Sequence, residues 1–363
     1  MTKKQFYFLL ILIFLIIFVF LIIVFLDFRN ESTTAREPSE TGSNSLNLGQ
    51  TSEELWPNDL NSTIYFCPED NCNEKIISLI IDSNNSIDCA VYDITSKEIA
   101  DSLISEKEKG NKIRIVTDNG RSSTKTSQVG NLKSYGINVL ISTSESSYMH
   151  NKFCVFDDSV VLIGSTNFTE NSFSESYNNI MVFDNPKLAN TLTEKINSFY
   201  LGKFSKESTV LGQDISSDFS IYFCPNQFCE SSVLDKVKEA KKSIVCMMYS
   251  FTLDNLAEEL IKAKENGIEI RLILENQQIT QYSEYQKLKA NGIDVILDNQ
   301  PNLLHNKFCV IDEETLITGS MNFSLNGINN NDESLLIIKD KNLSMQYYDY
   351  FKTKWNEWSK EYN

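Results

Sequence analysis

Histidine is almost missing from this chain: His150 and His305 are the only two in 363 residues. That leaves no imidazole beyond these two as a ligand for a metal. Positive charge is also short, with 33 Lys and Arg against 49 Asp and Glu, a formal net charge of −16. Sequence-independent binding to phosphates relies on Lys and Arg, which argues against a protein that coats nucleic acid or anionic lipid. A local basic cleft is still compatible with that balance.

Charge, proline and glycine are all absent from Phe6 to Leu26, a run of 21 apolar residues. At about 1.5 Å per residue such a helix spans a hydrocarbon core of roughly 30 Å. The run is too long for a signal peptide and ends in Asp27-Phe28-Arg29 rather than in small residues. It is expected to be an uncleaved anchor, residues 1–26 forming a cytoplasmic stub and transmembrane helix. Lys3 and Lys4 precede it, which places the N-terminus in the cytoplasm and the remainder outside. Residues 27–60 are polar and aperiodic, as expected of a flexible linker. Asn61 and Asn342 lie in glycosylation-type triplets, a weak signal that fits an exterior location.

What is present comes twice. IYFCP at 64 to 68 recurs at 221 to 225, IDCAVYDIT at 87 to 95 pairs with IVCMMYSFT at 244 to 252, and KIRIVTDN at 112 to 119 with EIRLILEN at 269 to 276. NLKSYGINVL at 131 to 140 matches KLKANGIDVI at 287 to 296, and GSTNF at 164 to 168 matches GSMNF at 319 to 323. Each copy reads as alternating strands and helices ending in a hairpin. Leu256, Leu260 and Ile261 mark a helical face, Gly110 and Gly267 are stop signals, and Ile113 to Val116 and Val160 to Ile163 are Val/Ile-rich strands. The expected fold class is α/β: two tandem homologous lobes, 61–205 and 206–363, each a mixed sheet flanked by helices, forming a pseudo-two-fold dimer. The period is too long for a solenoid.

The eight cysteines follow the repeat. Cys67 and Cys72 recur as Cys224 and Cys229, and each close pair reads as a short disulfide staple suited to an oxidising exterior. Reduced thiols, or one four-thiolate zinc site joining the lobes, are the alternatives. Cys89, Cys154, Cys246 and Cys309 lie in apolar strand-like runs and are expected to be plain core residues.

Both histidines sit in near-identical octapeptides, HNKFCVFD from 150 and HNKFCVID from 305. The full pattern is His150, Lys152, Asp157, Gly164, Ser165, Asn167 in one copy and His305, Lys307, Asp312, Gly319, Ser320, Asn322 in the other. His and Lys two apart on a strand share a face. Each half then offers an imidazole, an ammonium, a hydroxyl and a carboxamide. Two such halves around a two-fold axis suit a phosphodiester whose oxygens gain negative charge in the transition state.

These paired motifs resemble those of the phospholipase D superfamily over essentially 61 to 363. The resemblance implies a phosphodiesterase without cofactor or metal, in which one histidine attacks phosphorus to give a phosphohistidine and the other protonates the leaving oxygen, then activates water. It places Lys152, Lys307, Asn167 and Asn322 on the phosphate with Ser165 and Ser320 in support, and makes Asp157 and Asp312 structural. No obligate protein partner is implied, because both half-sites lie in one chain.

Twenty-eight residues after His305 stands Glu333, where the family places an acidic partner for the imidazole; 28 after His150 stands Asn178. On that spacing Glu333 would keep His305 protonated as the acid and Asn178 would leave His150 neutral as the nucleophile. Glu175 is another carboxylate able to serve His150. The motifs GSTNF and GSMNF, TSQVGNLKSYGINV at 126 to 139, MHNKF at 149 to 153 and the aromatic segment around Phe351, Trp355 and Trp358 resemble the nuclease branch, including membrane-anchored mitochondrial endonucleases. The implied substrate is single-stranded DNA or RNA, with Arg121 and Lys125 as backbone contacts or ordinary surface charges. The alternative is a phospholipase D or cardiolipin-type lipid hydrolase or transphosphatidylase, to which the anchor would bring substrate.

Overall fold

A computed structural model describes residues 60–362, all within one compact unit. The expected anchor at Phe6 to Leu26 and the linker before residue 60 lie outside the described residues. Among those described, no helix is long and apolar enough to cross a membrane.

The first repeat forms β1 (Ser62–Cys67), β2 (Ser86–Val91), β3 (Lys112–Thr117), β4 (Asn138–Ile141), β5 (Lys152–Phe156), β6 (Val160–Gly164) and β7 (Ser176–Asp184). They pair in the order β1-β7-β6-β5-β2-β3-β4. Helices α1 (Cys72–Asp82), α2 (Lys97–Glu108) and α3 (Val129–Ser134) link the first strands, and α4 (Pro186–Tyr200) follows the last. The second repeat opens with an added edge strand β8 (Gly212–Ser216), then β9 (Phe219–Cys224), β10 (Ser243–Met248), β11 (Glu269–Glu275), β12 (Asp294–Asp298), β13 (Leu303–Leu304), β14 (Lys307–Ile311), β15 (Thr315–Gly319) and β16 (Glu333–Lys339). Its longer helices are α5 (Gln227–Glu239), α6 (Asp254–Glu265), α7 (Tyr285–Ala290) and α8 (Lys341–Trp358), and its sheet runs β12-β11-β10-β14-β15-β16-β9-β8. The mixed sheets match the sequence expectation: β2, β3 and β4 are parallel and helix-linked, while β5 to β7 run antiparallel.

Alternation along β5 and β14 decides how the lobes meet. Phe153 and Val155, with Phe308 and Val310, join a core shared by both repeats, whereas Cys154 and Phe156, or Cys309 and Ile311, face each lobe's own helical layer. In that outer layer α6 buries Leu256 and Leu260 and ends before Gly267, whose φ of 88° is the left-handed conformation expected of a stop glycine.

The central cysteines depart from the sequence reading. Cys67–Cys72 and Cys224–Cys229 are disulfides as expected, and the zinc alternative falls with them. Cys89–Cys154 and Cys246–Cys309 are disulfides too, not free core thiols. The antiparallel pairing of β2 with β5, and of β10 with β14, sets each of these pairs directly opposite at a Cα separation of 4.1 Å. Their sequence separations of 65 and 63 gave no hint of that register.

The motif aspartates are structural. Asp157 accepts backbone N–H groups from Asn84, Asn85 and Ser86 at 2.8 to 2.9 Å, and Asp312 does the same for Lys241, Lys242 and Ser243. Each ties the hairpin turn to the entry of the neighbouring strand. Burial pushes the Asp157 carboxyl up, but the three N–H donors outweigh it and hold the group below its ordinary value. Its contribution to stability is therefore present above about pH 4 and is lost as pH falls through the lowered value. Asp157→Ala should lower stability by about 2 kcal/mol. It should flatten acid unfolding at the low end, as checked by chemical denaturation across pH.

Candidate active site

Neither histidine lies inside a strand. Each sits on the approach to its hairpin, and that approach is paired with the other lobe. Met149 bridges Asp332 in parallel, with His150 N–H donating to the Asp332 carbonyl (2.9 Å) and Asp332 N–H to that of Tyr148 (2.8 Å). In the second half, β13 adds to β7 in parallel, and His305 N–H donates to the Tyr177 carbonyl (2.9 Å).

This crossing corrects the expected partners. His150 Nδ1 meets Glu333 Oε2 at 2.8 Å, and His305 Nδ1 meets Asn178 Oδ1 at 2.9 Å. Glu333 therefore serves the histidine of the other repeat, as does Asn178, because each stands at or near the start of the strand along which the opposite histidine segment lies. Glu175, the other carboxylate considered for His150, is exposed and lines a cavity beside His305 instead.

The hydrogen-bond chain fixes the tautomers. Ser334 N–H donates to Ser320 Oγ (3.0 Å), so the Ser320 hydroxyl donates onward to Glu333 Oε2 (2.6 Å), while Asn331 Nδ2 donates to Oε1 (3.3 Å). When Glu333 is ionised both of its oxygens accept, and His150 Nδ1 then carries the proton. In the other half, Asn179 N–H donates to Ser165 Oγ (3.0 Å) and the Ser165 hydroxyl to Asn178 Oδ1 (2.9 Å). Asn178 Nδ2 donates to the Ser172 carbonyl (3.1 Å), so Oδ1 faces His305 Nδ1 as an acceptor. A neutral ring that donates from Nδ1 carries its lone pair at Nε2. The motif glycines serve this chain: a Cβ on Gly164 or Gly319 would come within 2.2 Å of the Asn179 or Ser334 carbonyl oxygen.

Lys152 and Lys307 are buried, each Nζ donating to the carbonyl of its own motif histidine at 2.7 Å. Two tyrosines that sequence reasoning passed over complete the walls. The Tyr92 ring packs edge-on against His150 (4.9 Å between centroids) and lies under Lys152 Nζ (5.1 Å); Tyr249 repeats both contacts with His305 and Lys307. Their identity at matching places in the aligned repeats was the available signal. Arg121 donates to the Tyr92 hydroxyl at 3.0 Å and its charge reaches His150, so it borders the site, whereas Lys125 is simply exposed. Asn167 lines the cavity beside His305, and the carboxamide oxygens of Asn167 and Asn322 are buried without a protein partner.

The electrostatics suit an anion. Burial and the nearby Lys152 and Lys307 hold both imidazoles well below their ordinary value. Burial lowers Lys152 to about 7 against the pull of Glu333, and lowers Lys307 well below the usual lysine value. Glu333 is pushed up to about 8 by burial, with Lys152 and its two donors pulling the other way. A phosphodiester anion between the lysines supplies the missing countercharge.

A domain family described as "Cardiolipin synthase, PLD-like domain" matches residues 76–200 and 233–355, one match in each lobe. A phospholipase D of Rickettsia prowazekii (strain Madrid E) is 30% identical over 132 residues, 36% of this chain and 64% of that protein. A mitochondrial cardiolipin hydrolase of Xenopus laevis is 32% identical over 121 residues, 32% of this chain and 57% of that protein. The chain thus spans less than two thirds of the length of these two relatives. The phosphatidylserine synthase of Haemophilus influenzae Rd KW20 shares the fold, with a TM-score of 0.62 at 15% identity over 85% of this chain and 87% of that one.

Because Lys152 is poised near neutrality, anion affinity should fall as pH rises through about 7. Sulfate, which does not titrate in this range, should bind more weakly at about pH 8 than at about pH 6 by calorimetry, and Lys152→Met should shrink that step.

Proposed function

The chain belongs to the phospholipase D superfamily, and from that premise we propose that it is a phosphodiesterase working through a phosphohistidine, with single-stranded DNA or RNA as substrate. The observation that carries the chemistry is the crossed pair of imidazoles, each with Nδ1 committed, between two buried lysines.

His150 is the nucleophile in this reading. Under the sequence argument alone, exchanging the partners would invert the roles. The deciding quantity is instead the charge on the ring while it is phosphorylated. Binding of the substrate anion supplies the missing countercharge, so that His305 takes up a proton at Nε2 from solvent. Attack by His150 Nε2 then forms the N–P bond as the P–O bond breaks, and the electron pair leaves on the alcohol oxygen, which takes that proton from His305 Nε2. The His150 ring keeps its Nδ1 proton and is cationic for the life of the intermediate, and the Glu333 carboxylate stabilises that charge. His305, held by the neutral Asn178, gains no such support as a cation and surrenders its proton readily. Water then attacks phosphorus, giving a proton to His305 as the N–P bond breaks.

Support for a nucleic acid comes from the rim. Tyr148 is 53% exposed and packs edge-on to Tyr92 at 5.7 Å, a surface on which a base can stack, beside the guanidinium of Arg121. The cavity beside His305 is lined by amides and hydroxyls rather than by an apolar slot for acyl chains. The lipid reading draws on the names of the curated relatives. For location, the proposal is a single-pass protein anchored through Phe6 to Leu26 with its catalytic lobes outside; four disulfides suit an oxidising compartment.

Acid-quenched single turnovers of a labelled diester should leave phosphate on His150, and phosphate on His305 would overturn the assignment. Glu333→Gln should lower kcat by about a hundredfold or more, since an amide can present its NH2 to Nδ1 and select the wrong tautomer. The purified full chain, in EDTA, should cleave labelled single-stranded DNA or RNA; cleavage of phospholipid vesicles alone would sink the nucleic-acid reading.

A further inference from the structure

We propose that the alcohol expelled beside His305 is an uncharged nucleoside carrying no further phosphate, so that a single strand is cut at its terminal residue rather than internally. The inference rests on the phosphodiesterase reading above, with His305 as the acid.

The leaving oxygen takes its proton from His305, so the group attached to it occupies the space next to that ring. There the structure has an open cavity of about 530 Å³. Asn167, Asn171, Gln277 and Asn302 supply carboxamides to its lining, and Glu175 is the one charged side chain among the lining residues apart from His305 itself. The Asn167 oxygen, buried and unpartnered, offers an acceptor to a hydroxyl or base N–H. Such a lining satisfies sugar hydroxyls and base edges. A strand continuing through it would bring its next phosphate towards the Glu175 carboxylate, with no Lys or Arg among the lining residues to meet it.

Comparison of the two repeats gives a second, independent reason. Tyr92 over His150 and Tyr249 over His305 are equivalent, and each accepts a hydrogen bond at 3.0 Å from a side chain at matching places in the repeat. On the His150 side that side chain is Arg121; on the His305 side it is Gln278. Two carboxylates accompany Arg121: Asp118 accepts Met149 N–H and Gly120 N–H, and Asp93 lies 4.0 Å from the guanidinium. The arginine, 46% exposed, still presents its charge at the rim and reaches His150. Arg121's charge also reaches Tyr249, but its guanidinium is bonded on the His150 side, where the phosphate-bearing remainder of a strand would lie, and the His305 side has a neutral amide at the matching place.

The test compares a dinucleoside monophosphate with the same molecule carrying a terminal phosphate at either its 5′ or its 3′ end, using the full chain in EDTA. Products identify which nucleoside leaves. A phosphate on the leaving nucleoside should lower kcat/KM by about tenfold or more, and one on the retained nucleoside should not. In the double variant Glu175→Gln, Gln278→Arg that penalty should shrink to about twofold, and a circular single strand should resist the wild-type protein. Equal tolerance of both terminal phosphates, an unchanged penalty in the variant, or ready cleavage of the circle would overturn the inference while leaving the nuclease reading intact. Failure to cleave the unmodified dinucleotide alongside hydrolysis of bis(p-nitrophenyl) phosphate would overturn the nucleic-acid reading itself.

Discussion

The site depends on a backbone exchange between the lobes. Leu303 and Leu304 extend the sheet of the first repeat, and Met149 pairs with Asp332 of the second. Each histidine therefore arrives on a segment whose hydrogen bonds belong to the opposite lobe. Buried peptide groups must be paired, so the segments cannot slide without breaking that pairing, and the distance between the imidazoles is set by strand register rather than by side-chain flexibility. The shared core behind them, with Phe153, Phe223 and Phe308 interleaved, holds the two sheets to one geometry.

That exchange also divides the parts list. The HxK pair comes from one repeat, while the hydroxyl and the carboxylate or amide that orient its imidazole come from the other. Ser320 and Glu333 serve His150; Ser165 and Asn178 serve His305. A single lobe would hold a histidine with no partner for Nδ1. Covalent fusion of the halves makes the two partners free to differ, which identical subunits of a homodimer cannot do.

Much of this was legible in the sequence because it was written twice. The repeat marked the α/β lobes, the paired His, Lys, Ser and Asn, and the close cysteine pairs. It also told Asp157 and Asp312 apart from the catalytic set only through family resemblance; the geometry supplies the reason, three backbone N–H groups each. What failed were relations across strands and across lobes. A spacing of 28 residues linked Glu333 to His305 along the chain, whereas the fold delivers it to His150. Register likewise hid the disulfides Cys89–Cys154 and Cys246–Cys309. Asp332 and Lys195 carried no signal at all, since Tyr177 stands where the repeat would place a second such aspartate.

That last pair shows how unequal the two half-sites have become. Lys195 on α4 and Asp332 meet at 3.0 Å with both side chains essentially inaccessible, and Ser205 N–H (2.9 Å) and the Ser208 hydroxyl (3.0 Å) complete the cluster. Burial pushes the aspartate up and the lysine down, so the pair exists against a desolvation cost and is no simple source of stability. Its position explains it better. The Asp332 backbone brackets Met149 while its side chain ties the junction between the lobes to α4, so the segment bearing His150 is clamped on both sides. Among the described residues, the segment bearing His305 follows Tyr177 with no such ion pair, its Leu304 N–H donating to Glu275 (2.7 Å), and it borders the open cavity. In the proposed reaction His150 must approach phosphorus along one line, and a fixed imidazole suits that step. His305, as the proposed proton donor, must follow the oxygen of a departing group, and the more open half-site suits that role.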